Sequence, residues 1–186
     1  NQVMHLIKEI GTSSKLKRAL QLIRELVEQG NKVIVWTIFI QTMIDLKALL
    51  RTELNLRTEL LYGETKSSRA QIIEEFKHAE SLRIVVANPS AVSESISLHR
   101  CCHHAIYLDL SYNATHFIQS KDRIHRLGLS DDTKTYYYFL QAQDTIDNKV
   151  YSRVTMKESR MVDAIENSLP PVLSEDTFSE FLEDLK

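Results

Sequence analysis

Lys32-Val33-Ile34-Val35-Trp36-Thr37-Ile38-Phe39 is the stretch on which the fold turns. β-Branched and aromatic side chains fill it almost without a break, which is how a strand buried on both faces reads, and a central parallel strand is predicted here. Before it, residues 14–29 carry Leu16, Ala19, Leu20, Leu22, Ile23 and Val27 at helical spacing, with Gly30 as the C-cap. After it, Met43, Ile44, Leu46, Leu49 and Leu50 restore a helical period over 41–52, and Arg57 to Tyr62 forms a short second strand ending at Gly63. The pattern then repeats. Ser68 with Gln71 three residues on has the form of a capping box, ahead of a helix with Ile72, Ile73 and Phe76 on one face. Strands are predicted at 82–87, 104–110 and 133–140, and a helix at 114–127.

Strands alternating with helices imply an α/β fold: right-handed crossovers and a parallel β-sheet sandwiched by helices on both faces. Functional groups are then expected at the carboxyl ends of the strands. Beyond 144 a long helix is predicted to about 166. Pro170-Pro171 stops it, and Ser174 to Leu185 follows as a short acidic amphipathic helix bearing Phe178, Phe181, Leu182 and Leu185. The division predicted is a main domain over 1–143 and a helical C-terminal extension over 144–186.

A chain of 186 residues, 43% hydrophobic and 26% charged, supports one good core. The formal net charge of −2 excludes a molecule that is basic overall, so any nucleic-acid surface must be a local patch. No apolar run reaches the roughly 20 residues of a membrane span, and Asn1 opens without a charged-then-apolar leader; a cytoplasmic protein without membrane contacts is expected. The adjacent Cys101 and Cys102 suit neither a disulfide framework nor a CxxC knuckle, and reduced thiols are expected.

Chemistry concentrates near residue 120. Gln119, Arg123 and Arg126 stand at i, i+4 and i+7 of a predicted helix, so all three project from one face, while Phe117, Ile124 and Leu127 turn to the core and Gly128 ends the helix. Two guanidiniums so close repel unless an anion lies between or opposite them. A triphosphate fits, because the planar five-donor group binds phosphate oxygens bidentately and stays charged. Spacing by itself does not separate this from ordinary pairing with surface carboxylates. The order of the neighbouring segments does.

Gln119-Ser-Lys-Asp-Arg-Ile-His-Arg-Leu-Gly128 resembles the sixth motif of superfamily-two helicases, in the QxxDRxHRxG form of Swi/Snf-type DNA translocases. Lys32 to Phe39 is similar to the motif that opens the second lobe of that family, and Leu61-Tyr-Gly-Glu-Thr65 to its HGxT segment. Val86 to Leu98 resembles the fifth motif, and Tyr107-Leu-Asp-Leu-Ser-Tyr-Asn113 the stretch that follows it. The resemblance covers about residues 13–160 and implies a RecA-like second lobe. By it, Arg123 and Arg126 are arginine fingers reaching a nucleotide, and Gln119 places them or the phosphate. Glu94 and Ser97 fall on the nucleotide side. Thr37, Gly63, Thr65, Ser90, Ser93 and His99 match positions near the backbone of bound nucleic acid. Hydroxyls and backbone N–H groups at strand ends grip phosphates without reading bases, as a motor moving over any sequence requires.

The resemblance further implies ATP with Mg²⁺ held mainly by an N-terminal RecA-like lobe of the same protein, with double-stranded DNA as the track. The chain carries no GxxxxGK[ST] and no DExx-type box, so by itself it is expected to be monomeric, to bind no cofactor tightly and not to hydrolyse ATP. Its first residue suggests a piece of a longer protein. Val92, Ser93 and Ser95 stand where the fifth motif usually carries glycine, which puts coupling in doubt, and Glu64 brings a negative charge beside a phosphate path. Two alternatives stay open: a degenerate lobe serving as a non-catalytic protein- or nucleic-acid-binding scaffold, and an RNA helicase, for which QxxDRxHR is the wrong variant. His99, Cys101, Cys102, His103 and His104 crowd together, but neighbours on a strand point to opposite faces, so no metal site is expected. Tyr136-Tyr137-Tyr138 reads as core of a buried strand.

Overall fold

The computed structural model describes residues 13–91, 97–125 and 133–168, with side chains to 164. Helix α1 (Ser14–Glu28) leads to β1 (Val33–Trp36), α2 (Ile40–Leu54) and β2 (Thr58–Leu61). A 3₁₀ turn at Gly63–Thr65 precedes α3 (Arg69–His78) and β3 (Ile84–Ala87). Then come β4 (His104–Tyr107), α4 (Ala114–Lys121), β5 (Tyr136–Phe139) and α5 (Ile146–Ser168). The five strands form one parallel sheet in the order β2-β3-β1-β4-β5. The predicted α/β class and the element sequence stand, with each strand shorter than its apolar run. β1 gives up Thr37, Ile38 and Phe39 because the polar groups of the first two bond a side chain from the neighbouring strand's end.

Alternate residues of β1 feed the two sides of the sheet, as the pleat demands. Val33 and Val35 pack with α1 and α2, whereas Ile34 and Trp36 pack with α3, α4 and the first half of α5. All four are fully buried. Val150 and Val154 of α5 belong to this second cluster, so the helix after β5 completes the core on that side.

The turns follow local chemistry. Ser13 caps α1 by accepting the Leu16 N–H (3.3 Å), and Gly30, at φ +85°, ends it in the left-handed conformation that costs glycine nothing. At α3 the predicted capping box does not form. Ser68 is already helical (φ −98°, ψ −3°), and its hydroxyl donates back to the Thr65 carbonyl (3.3 Å), because the preceding 3₁₀ turn runs into the helix. The tyrosine run is also corrected. β5 is the sheet edge, so Tyr137 and Tyr138 are half-buried on opposite faces, and Tyr136 is exposed and stacked on His104 at 5.0 Å.

Lys32, buried at the foot of β1, directs its ammonium to the carbonyls of Phe76, Lys77 (3.2 Å) and Ala79 (3.1 Å). Those groups close α3, where a cation complements both the dipole and the orphan acceptors. Lys32→Met should therefore cost about 1.5–3 kcal/mol in urea unfolding, since the carbonyls stay buried while their charged donor is gone. An unchanged urea midpoint would show that water replaces it.

Candidate functional site

The strand order places β1 at the centre and makes its junction with β4 the switch point: α2 leaves β1 towards one face, and α4 leaves β4 towards the other. At that junction, Asp109 spans the two strand ends. Its carboxylate accepts the Thr37 hydroxyl at 2.6 Å and the Ile38 N–H at 2.7 Å. From the other side Asn88, just past β3, donates its amide to the Ile38 carbonyl (3.0 Å) and accepts both the N–H and the hydroxyl of Ser90 (3.0 and 2.7 Å). Both backbone groups of Ile38 are thus held by side chains from the two flanking strands. The Phe39 N–H closes the turn onto the Thr37 hydroxyl (3.2 Å), and the Phe39 ring stands 57% exposed at the rim.

Thr37 is corrected by this arrangement as a phosphate contact: it is fully buried, and its hydroxyl is already engaged. Ser90 is exposed on the same rim. Gly63 is exposed as well, with open space where a Cβ would stand. The Thr65 hydroxyl accepts the Tyr62 N–H and donates to the Tyr62 carbonyl, both at 2.9 Å, so it shapes the 3₁₀ turn. Glu64 takes a hydrogen bond from the Tyr62 hydroxyl (3.3 Å). Ser97 and His99 are brought together, with Oγ 2.7 Å from Nδ1. Glu94, Ser93, Val92 and Ser95 lie outside the described residues.

The helix predicted over 114–127 ends at Lys121. Asn113 caps it by accepting the Thr115 and His116 N–H groups, and Ser120, bonded to the Tyr107 hydroxyl (2.8 Å), ties its last turn to β4. The chain then tightens into i→i+3 bonds, Arg123 N–H to Ser120 and Ile124 N–H to Lys121. Gln119 is half-buried in the last helical turn. Arg123 falls beyond the helix and is 7% exposed, so the two are not stacked on one helical face projecting into a cleft; Arg126 lies outside the described residues. Ile124 and Phe117 are buried as expected. The Leu98 N–H donates to the Arg123 carbonyl at 2.8 Å, which joins the end of the 86–98 segment to the arginine turn.

Among the described residues no group of three or more His, Cys, Asp or Glu is arranged to hold a metal. Cys102 is buried, directs Sγ to the Lys32 carbonyl (3.4 Å), and has its thiol pushed up to about 12 by burial. His104 instead meets the Tyr138 hydroxyl at 3.1 Å. No described helix is long and apolar enough to cross a membrane.

Five parallel strands wrapped by helices on both faces, with polar clamps along the carboxyl edge, define a RecA-like α/β lobe. The helicase conserved C-terminal domain matches residues 14–128, and the chain belongs to that family, in its Swi2/Snf2-type branch. It is 26% identical over 176 residues to the ATP-dependent helicase FUN30 of Saccharomyces cerevisiae, covering 94% of this chain and 15% of that protein. It is 31% identical over 148 residues to the chromatin-remodeling ATPase INO80 of Neurospora crassa, covering 78% and 7%. Its fold superposes on the Sulfolobus solfataricus SWI2/SNF2 ATPase core in complex with double-stranded DNA, with a TM-score of 0.64 and 25% identity, covering 84% of this chain and 32% of that one. The chain thus spans a small part of the relatives it matches.

Burial pushes the Asp109 carboxyl above the ordinary aspartate value, with the Thr37 and Ile38 hydrogen bonds pulling part of the way back. Burial also raises Asp147, but the Ala142 N–H and Lys15 outweigh it and leave that carboxyl low. Stability from Asp109 is accordingly present at acid pH and lost as pH rises through its folded pKa; that from Asp147 is lost as pH falls through its own. Carboxyl ¹³C titration should show the two midpoints on opposite sides of a free aspartate. Asp109→Asn, offering one acceptor to two donors, should cost about 1–3 kcal/mol and speed exchange of the Ile38 amide. Unaltered exchange at Ile38 would mean that the clamp does not hold the loop.

Proposed function

We propose that this chain is the second motor lobe of an ATP-driven translocase on double-stranded DNA, working against an N-terminal RecA-like lobe that holds most of ATP and its Mg²⁺. The supporting observation is the Leu98–Arg123 hydrogen bond. It links the segment resembling the fifth motif, assigned to the nucleic-acid track, to the turn resembling the sixth, assigned to the nucleotide, so a displacement of one turn is transmitted to the other. The relatives' names, ATP-dependent helicase and chromatin-remodeling ATPase, and the DNA in the archaeal complex point the same way.

In this reading Arg123 and Arg126 offset the charge that builds on the transferring phosphoryl oxygens, with Gln119, Glu94 and Ser97 setting their position. Arg123 itself is buried in the tight turn that follows α4. Gly63, Ser90 and the backbone of the Ile38–Phe39 turn, together with Thr65, Ser93 and His99, line the phosphate path, and Thr37 acts through the turn it braces. The domain division at 143/144 and a cytoplasmic location belong to the same proposal.

In the complete protein, Arg126→Ala should lower DNA-stimulated ATP turnover by about 10²-fold or more with an unchanged melting temperature. Arg126→Lys should recover little, because a point charge does not replace the bidentate fork. Near-normal turnover in Arg126→Ala would refute the finger assignment. No DNA-stimulated turnover in the wild type would leave the lobe a scaffold.

A further inference from the structure

Helix α5 sorts its charges by face. Asp147 is paired with Lys15 of α1, and Glu158 with Lys121 of α4 (2.6 Å), so both carboxylates are drawn inward by the lobe. Lys149, Arg153, Lys157 and Arg160 follow one another at spacings of four, four and three residues, which sets them in a single row on the outward face. All four are exposed, and among the described residues none of them forms an ion pair. The Lys157 ammonium donates to the Tyr112 carbonyl (3.0 Å), and the Arg153 guanidinium lies 6.0 Å from the Tyr112 ring centre. The middle of the row therefore sits beside the loop that follows β4 at the carboxyl edge, and the whole row extends about 16 Å along the helix.

We infer that this row is a second contact for the phosphodiester backbone of duplex DNA, outside the cleft between the lobes; the inference rests on the DNA reading above. A chain of net charge −2 that leaves four cations in a line uncompensated has a local site for a polyanion. A protein partner would need an apolar centre from which charge is depleted. Here the cations themselves form the centre with Asn148, Ser152 and Ser159 beside them, Met156 and the Tyr112 ring are the exposed large apolar groups within the row, and Ile146, Met161 and Val162 stand beyond its ends. A phosphate backbone asks only for cations along its length and reads no sequence, which suits a motor that must stay on its track between strokes. The loop carrying Tyr112 makes the surface continuous with the edge where the proposed track lies.

The test is binding of the complete protein to a labelled mixed-sequence duplex between 50 and 200 mM salt. Lys149→Ala, Arg153→Ala and Arg160→Ala are combined, and Lys157 is left in place to hold Tyr112. Loss of three phosphate contacts should reduce the slope of log affinity against log salt by about 2.7, equally for unrelated duplex sequences, while kcat at saturating duplex stays within about twofold of wild type. Lys17→Ala, Arg24→Ala and Arg51→Ala, three exposed cations of α1 and α2 on the opposite side of the sheet, should leave the slope unchanged. An unchanged slope in the α5 variant with wild-type binding intact overturns the inference and spares the proposed function. An equal fall in both variants, or loss of polyglutamate binding with the duplex slope retained, also overturns it. A wild-type protein that binds no duplex removes both readings.

Discussion

Everything at the working edge of this lobe depends on how the chain leaves β1. The central strand is buried on both faces, and its first residue beyond the ladder that carries free backbone groups is Ile38. Those groups cannot be left unmatched so close to the core. Asp109 from one neighbouring strand takes the N–H, and Asn88 from the other supplies the donor for the carbonyl. Three loops are thereby joined into one rim at the switch point, where α2 and α4 diverge to opposite faces.

The chemistry of that clamp explains both what is hidden and what is offered. A carboxylate with two acceptor oxygens can serve a hydroxyl and an amide together, a task no neutral side chain of its size performs as well. Burial works against the ionised form, and the two hydrogen bonds oppose that penalty. Thr37 is consumed in the process, while Phe39 and Ser90 are left outward on a fixed backbone. The Leu98–Arg123 bond separately ties the arginine turn to the segment that leads into β4. On the function proposed above, such preorganisation favours engagement of a second lobe and a track, because a rigid edge loses little conformational entropy on binding.

α5 stands apart from this economy. Its inner face finishes the core through Val150 and Val154 and spends its first two carboxylates on the lobe, leaving the outer face a row of cations. The helix is both a structural brace and a charged rail beside the β4 loop. That division of labour between faces follows from one period of 3.6 residues carrying two patterns at once.

The α/β class, the order of strands and helices along the chain and the family were legible in the residues alone. A run such as 32–39 leaves few alternatives to a doubly buried strand, and QxxDRxHRxG following the other motifs is specific to its family. The end of α4 was not legible, because Phe117 and Ile124 fit a helical period equally well whether the chain continues as a helix or tightens into i→i+3 bonds. Nor was the fate of Thr37: a hydroxyl at a strand end reads as a ligand for phosphate until a carboxylate 72 positions away reaches it. The half-burial of the tyrosines depended on β5 lying at an edge, which is a fact of strand order in space. Local patterns record which face of an element is apolar and which chemistry it carries, and so the sequence determined the class of lobe and its motifs. Pairings between distant segments are settled only when the sheet assembles, and so the tertiary structure alone decided which polar groups close the rim and which remain open to a partner.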